Sequence, residues 1–252
     1  MKGVSLKKFI QKVAVTGADD SVTPNDLELI AREFPFVEFG ILVSPKLHES
    51  ICFPSKGWIA ELVTHFRDSM LLQGGRVAFA GHICGSWVNG IFNGVWPHEG
   101  LDCLSNIVTR WQLNTHGIHR DFDIVGLKRV VREQNNCELS KEVIFQFDHK
   151  NTGALFACSD EGLIVSALFD LSHGKGRLPS TWPLPIKNIP CGYAGGLSLN
   201  NVAEEIAKIE KKVGEAKVWI DAESQLRTNN GSQFDLHKVH SFLSKSKPWV
   251  CV

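Results

Sequence analysis

Residues 189–206 read Ile189-Pro-Cys-Gly-Tyr-Ala-Gly-Gly-Leu-Ser-Leu-Asn-Asn-Val-Ala-Glu-Glu-Ile206. The pattern predicts a short buried strand that ends near Ala194, a turn at Gly195 and Gly196, and a helix that begins near Asn200. Glycines between a strand and a helix let the backbone approach an anion closely, and the first free N–H groups of the helix then point at that anion. Gly195 and Gly196 are therefore candidate phosphate-binding residues, with a plain tight turn as the alternative.

The rest of the chain repeats this alternation of strand and helix. Apolar stretches predict further strands at residues 12–17, 37–43, 76–80, 111–114, 142–148, 163–170 and 217–221. Helical patterns follow most of them, at residues 24–34, 58–72, 123–134, 152–159, 202–214 and 235–244. Residues 81–103 are predicted to form a loop with a broken helix, either a lid or a segment packed against the barrel end, and residues 171–188 show no convincing helix.

Eight nearly continuous apolar strands that alternate with helices indicate parallel pairing with both faces of the sheet covered. A length of 252 residues is usual for a (β/α)8 barrel. A Rossmann sheet is the main rival, but it calls for G-x-G-x-x-G after the first strand, which this sequence lacks. The sequence therefore predicts an α/β fold, a single (β/α)8 TIM barrel of the phosphate-binding type over residues 1–252.

The composition limits the kinds of partner that this protein is expected to bind. The 27 Lys and Arg residues balance 27 Asp and Glu residues, so we expect no nucleic-acid groove and no membrane patch, and any anion site must be local. Seven scattered cysteines without a C-x-x-C pair indicate reduced thiols and a cytoplasmic protein. No signal peptide or membrane-spanning stretch is predicted.

In a barrel of this kind the chemistry lies at the carboxyl ends of the strands. The predicted ends carry a set of polar side chains: Thr16, His82, His116, Asp148, His149, Asp170, His173, Asp221 and Glu223. Each has a simpler explanation, because a histidine there is often a solvated loop residue and an aspartate often caps a helix. Together they predict a polar pocket at one rim.

Several motifs resemble those of phosphoribosylanthranilate isomerases. Lys12-Val-Ala-Val-Thr-Gly17 falls where that family has Val-Lys-Ile-Cys-Gly, and Leu168-Phe-Asp170 falls where it has Leu-Leu-Asp. Val218-Trp-Ile-Asp-Ala-Glu-Ser224 resembles its Val-Asp-Val-Ser-Ser. Further matches cover Val37–Lys46 and Trp111–Gly117, and His173–Gly176 lies near the family's Gly-Gly-x-Gly-Lys loop. The resemblance spans most of the barrel and is best in the C-terminal half.

The resemblance implies an Amadori rearrangement of a phosphorylated aminoaldose, with Asp170 as the general acid. It also implies a phosphate site formed by the loops after strands seven and eight, at Gly195, Gly196, Ser224 and Gln225. Thr16 replaces the family's base cysteine, and its hydroxyl cannot act as a base near neutral pH. A partner from His82, His116, Asp148 or Asp221 would have to replace that thiol. The arginine that the family has after strand two is also missing, since Lys46-Leu-His-Glu-Ser50 stands there.

These residues are compatible with three alternative functions. The first is an isomerase or lyase that acts on a small phosphorylated metabolite. The second is a metal-dependent hydrolase or aldolase, with ligands drawn from His82, His116, Asp148, His149 and Asp170. The third is a non-catalytic barrel that binds a phosphorylated ligand. We expect no cofactor, and a homodimer is left open.

Overall fold

A computed structural model describes residues 7–46, 50–72, 77–115, 122–170, 172 and 175–251, with the backbone alone for residues 68–72. Eight parallel strands pair in chain order, and the last pairs with the first to close a barrel. The predicted (β/α)8 fold is thereby confirmed. The strands are β1 (Ile10–Thr16), β2 (Val37–Val43), β3 (Ala78–Ile83), β4 (Arg110–Leu113), β5 (Glu142–Gln146), β6 (Val165–Asp170), β7 (Cys191–Ala194) and β8 (Val218–Ala222).

Helices follow most of the strands, and six of them match the helical patterns of the sequence. The helices are α1 (Pro24–Glu33), α2 (Lys56–Leu72), α3 (Ser86–Phe92), α4 (His98–Ser105), α5 (Ile124–Asn135), α6 (Thr152–Ser159), α7 (Val202–Val213) and α8 (Leu236–Ser246). Local chemistry fixes several of their starts. Thr23 and Asp26 form a capping box before α1, and the carboxylates of Asp123 and Asp235 accept backbone N–H groups at the starts of α5 and α8. Within the described residues, none of the helices combines the length and the apolar character that a membrane span requires.

Residues 81–103, predicted as a loop with a broken helix, contain one short helix and most of a second. Strand β3 continues three residues beyond the predicted end, to Ile83, and α3 and α4 fill the connection to β4. Their apolar side chains, among them Val88, Phe92 and Leu101, are buried, and the two helices pack against α5 and α2. The segment belongs to the outer helical layer, which favours the packed alternative over a lid.

The interior of the barrel is only partly apolar. A small cluster of Ala14, Ile144, Leu168, Ala194 and Trp219 fills its middle. Charged side chains project inward near the amino-terminal ends of four strands and form an ion-pair network.

Glu38, on β2, lies at the centre of this network. Its carboxylate accepts hydrogen bonds from Arg110 at 2.8 Å and from Lys12 at 3.0 Å. Arg110 also lies 3.1 Å from Glu142 and stacks 4.2 Å above the ring of Trp219. Burial alone would raise the pKa of Glu38, but the charges of Arg110 and Lys12 outweigh burial, so the pKa lies below its ordinary value.

Candidate active site

A cavity of about 60 Å³ opens at the carboxyl ends of β4 to β8. Its polar wall is formed by Gln112, Asn114, Gln146, Asp170, Ser172, Asp221 and Glu223, and its backbone wall by the turns at Gly195–Gly196 and Ser224. The two turns that the sequence singled out therefore lie at the same end of the barrel, beside three of the predicted acidic side chains.

Asp170 is the last residue of β6, and 8% of its surface is exposed. Its Oδ1 atom accepts hydrogen bonds from the backbone N–H and the hydroxyl of Ser172, at 3.0 and 2.7 Å. Its Oδ2 atom accepts from Nε2 of Gln146 at 3.1 Å. Because these partners are all donors, the Asp170 carboxyl group is the acceptor in each of these three hydrogen bonds.

Asp221 lies on β8, and 6% of its surface is exposed. The buried hydroxyl of Thr16, at the end of β1, donates to its Oδ1 atom at 2.8 Å. Burial, together with the negative charges of Glu38 and Asp170, raises the pKa of Asp221 to about 7, against the lowering effect of the Thr16 hydrogen bond. A large fraction of the molecules therefore carry a protonated Asp221 near neutral pH, and this protonated carboxyl group can donate a proton.

Glu223 adds a third carboxyl group to the cavity wall. Its side chain is half-buried. Removal from water, followed by the charges of Asp221 and Asp170, raises the pKa of Glu223 to about 7. Because the pKa values of Asp221 and Glu223 are raised, these two groups retain protons at a pH where exposed carboxyl groups have lost theirs.

The glycine turn after β7 has a backbone conformation that suits glycine. Gly195 and Gly196 have φ values of +111° and +69°. A Cβ atom on Gly195 would lie 3.2 Å from Oδ1 of Asp170, so this turn and that carboxylate are direct neighbours. Asn201 stabilises the turn, because its side chain donates to the carbonyl of Gly196 at 2.9 Å and accepts from the N–H of Ser198 at 2.8 Å.

The turn after β8 is held by a buried arginine. Arg227 donates to the carbonyl of Gly17 at 2.7 Å and to the carboxylate of Asp19 at 2.6 Å, which ties this turn to the end of β1. Ser224 lines the cavity. Gln225, which the sequence also placed at the phosphate site, is exposed and lies outside the cavity lining.

Three predicted catalytic candidates in the described part of the chain do not line the cavity: Thr16, His82 and Asp148. His82 is buried within β3, where Nε2 of Gln112 lies 3.1 Å from its Nδ1 atom, and burial lowers the pKa of His82 to about 4. Asp148 lies beyond the end of β5, and its carboxylate accepts the backbone N–H groups of Lys150 and Asn151 at 2.7 and 3.1 Å. Asp148 therefore caps its own turn. His116 lies outside the described residues, as does His173.

Sequence reasoning missed the amide side chains of the site. Gln112, Asn114 and Gln146 line the cavity from β4 and β5, and Gln146 orients Asp170. The available signal was their spacing, because Gln112 and Asn114 alternate with apolar residues and so share one face of the strand. Among the described residues, no group of three His, Cys, Asp or Glu side chains is arranged to hold a metal ion.

Comparison with known proteins supports the fold. No protein-family model and no curated protein matches the sequence. Two solved structures reach a TM-score of 0.50. One is a Rubisco-like protein from Rhodopseudomonas palustris, which is 11% identical over 97% of this chain and 66% of that chain. The other is KGPDC from Streptococcus mutans, which is 12% identical over 95% of this chain and 99% of that chain. The BexX/CysO complex from Amycolatopsis orientalis gives a TM-score of 0.48 at 14% identity, over 95% of this chain and 89% of that one.

At these identities the likeness is one of fold. The protein is a (β/α)8 barrel with TIM-barrel neighbours, and this chain spans 66% of the length of the Rubisco-like protein. The resemblance to phosphoribosylanthranilate isomerases, which rests on sequence motifs, stays a prediction.

Proposed function

We propose that this protein is an isomerase that moves a proton within a small phosphorylated metabolite by general acid–base catalysis. One observation carries the proposal: the carboxyl groups of Asp170 and Asp221 line the same cavity as the turn at Gly195 and Gly196. The arrangement combines two proton-transfer groups with a backbone site for an anion.

The surroundings of the two carboxyl groups favour different roles for them. Asp221, whose pKa is raised to about 7, is the proposed acid, because it still holds a proton near neutral pH. Asp170, which accepts hydrogen bonds from Ser172 and Gln146, is the proposed base. The motif resemblance alone would make Asp170 the acid, so the structural environment supports the reverse assignment.

The same arrangement supplies a replacement for the missing cysteine. Thr16 stands at the position of the family's base, and its hydroxyl donates to Asp221. In this proposal Thr16 is a positioning residue for the Asp221 carboxyl, which takes over proton transfer at that side of the cavity. The substitution of the cysteine thus removes one proton-transfer group while another remains next to it.

The phosphate would be held by Gly195 and Gly196, with Ser224 on the facing turn. Binding energy from a phosphate remote from the reacting carbons positions a small substrate between the carboxyl groups. Because of the motif resemblance, the Amadori rearrangement of a phosphorylated aminoaldose is the first reaction to assay.

The test is proton exchange, which does not require the substrate to be known in advance. The protein is incubated in D2O with a panel of phosphorylated aldoses, ketoses and phosphoribosylanthranilate, and NMR follows the loss of the signal from the proton next to the carbonyl or imine carbon. We expect exchange with at least one compound, and Asp170→Asn should slow it by about 10²- to 10⁴-fold.

Asp148→Asn is the matched control, because Asp148 caps a turn outside the cavity and asparagine can cap it equally well. Binding of panel compounds without exchange would mean a non-catalytic barrel. Equal loss of exchange in the Asp148 and Asp170 variants would contradict the assignment of Asp170.

A further inference from the structure

A second group of reactive side chains lies in the connection from α5 to β5, away from the cavity. The Nζ atom of Lys141 donates to the sulfur of Cys137 at 3.0 Å. The connection is held in place by its own hydrogen bonds, since the N–H of Lys141 donates to Gln134 at 3.0 Å and Asn135 donates to the carbonyl of Lys141 at 2.8 Å. Lys141 immediately precedes β5, so this pair lies at the opposite end of the barrel from the candidate active site.

Lys141 is buried, with 3% of its surface exposed. Among the described residues, Lys141 forms no ion pair with a carboxylate, and its ammonium group donates to the sulfur of Cys137. A buried ammonium group is costly unless an opposite charge compensates it. The thiolate form of Cys137 supplies that charge, whereas the protonated thiol instead donates to the carbonyl of Gln134, 2.9 Å away.

The surroundings distinguish Cys137 from other cysteines of the chain. Burial opposes ionisation of Cys137, but hydrogen bonds from Lys141 and from backbone N–H groups outweigh it and lower the pKa of this thiol. Burial raises the pKa of Cys158 to about 12 and that of Cys191 to about 11. Cys137 is also only half-buried, beside the exposed Glu138, so a small oxidant can reach the sulfur.

We propose that Cys137 and Lys141 form a peroxide-reactive site that closes a reversible sulfur–nitrogen bond. In the first step the Cys137 thiolate attacks one oxygen of hydrogen peroxide and the O–O bond breaks. The Lys141 ammonium gives its proton to the departing hydroxide, so the products are a sulfenic acid, a neutral amine and water.

In the second step the Lys141 amine, already in contact with the sulfur, displaces the sulfenic hydroxyl group. A sulfur–nitrogen bond forms and a second water leaves with one proton from the amine. Sulfur is oxidised by two electrons and one peroxide molecule is reduced to two waters. A thiol reductant such as dithiothreitol attacks the sulfur and restores both side chains.

The test treats the full-length protein with hydrogen peroxide at pH 7 and follows each cysteine by peptide mass spectrometry. We expect Cys137 to react several-fold faster than the exposed Cys103, because the thiolate is the attacking species. The product should be a peptide pair joined through Cys137 and Lys141 with the loss of two hydrogen atoms, and dithiothreitol should reverse it.

Two variants separate the steps. Lys141→Arg keeps a positive charge but provides no amine for condensation, so Cys137 should accumulate as a sulfenic acid that dimedone traps. Lys141→Met removes the charge and should slow the oxidation of Cys137 to the rate of Cys103. Circular dichroism of both variants establishes that the fold is retained, and Cys137→Ser in the wild-type background should abolish the linked product.

Equal reaction rates for Cys137 and Cys103 in the wild-type protein would overturn the proposal. A dimedone adduct on wild-type Cys137 with no linked product would overturn the condensation step. Neither result depends on the proposed isomerase activity.

Discussion

Replacement of Asp221 by asparagine removes a carboxyl group that is costly to ionise in the folded protein. Burial and the nearby charges of Glu38 and Asp170 raise the pKa of Asp221 from 3.8 to about 7. Between these two values the folded protein holds a proton that the unfolded chain has released. The folded state therefore loses stability as the pH rises through this range, and the loss is complete above about pH 7.

The size of the effect follows from the same values. The difference between 3.8 and about 7 corresponds to about 4 kcal/mol, at 1.36 kcal/mol for each pKa unit. Asparagine keeps an oxygen that can accept the Thr16 hydroxyl, so the hydrogen bond at 2.8 Å can be retained. Between pH 4.5 and pH 8, Asp221→Asn should gain roughly 3 kcal/mol in free energy of unfolding relative to the wild type.

Urea unfolding at pH 4.5 and pH 8 measures this gain. Glu61→Gln, which changes an exposed carboxyl group on α2, is the matched control and should alter stability by less than about 0.5 kcal/mol at either pH. If the advantage of Asp221→Asn over the wild type is the same at both pH values, the carboxyl group ionises normally. The role of Asp221 as a proton donor near neutral pH would then be lost.

Two further predictions concern the turn after β7 and the ion-pair network. Gly195→Ala should abolish the binding of inorganic phosphate in calorimetry and lower the free energy of unfolding by about 1–3 kcal/mol, because φ is +111° and the added Cβ would lie 3.2 Å from Asp170. The control Gly162→Ala, at a φ of +72° with open space around it, should keep phosphate binding. Equal phosphate affinities in both variants would exclude the turn as the anion site. Glu38→Gln should destabilise the protein by about 3 kcal/mol in urea, because it removes a buried charge partner of Arg110; a loss below about 1 kcal/mol would show that Glu142 compensates alone.

The fold was predictable because its signals are local. Apolar stretches of strand length, glycines after them and amphipathic helical patterns occur in the order that a (β/α)8 barrel requires. Thr23 and Pro24 mark the start of α1 in the sequence, and the structure shows the same start. The approach of the two predicted anion-binding turns follows from the strand order, since β7 and β8 are consecutive in the chain and are parallel neighbours in the sheet.

The site was less predictable, because strand ends depend on partners elsewhere in the chain. Residues after Gln146 were predicted to continue β5, but the Asp148 carboxylate caps backbone N–H groups and the strand stops at Gln146. Strand three was predicted to end before Gly81, but that glycine is where Trp111 packs, since an added Cβ would lie 2.1 Å from its ring. The strand continues and buries His82. Errors of two or three residues in the predicted strand ends therefore led to wrong predictions of which side chains reach the cavity.

The ion-pair network in the barrel interior has a recognisable signal in the sequence. Glu38 interrupts a strand that is otherwise apolar, and Arg110 and Lys12 occupy the corresponding inward positions of their own strands. A buried glutamate requires a cationic partner, so one acidic and two basic residues near the starts of apolar strands are a reasonable prediction of an ion-pair network.

The network and the candidate active site are electrostatically connected through the barrel. The negative charge of Glu38 contributes to the raised pKa of Asp221, whereas the positive charge of Arg110 opposes it. The two residues are themselves an ion pair at 2.8 Å, so their effects on Asp221 partly cancel and the remainder depends on their geometry. The polar interior of this barrel therefore affects the protonation of the candidate active site as well as the stability of the fold. It places a buried carboxylate below the site, where its charge helps the proposed acid to keep its proton.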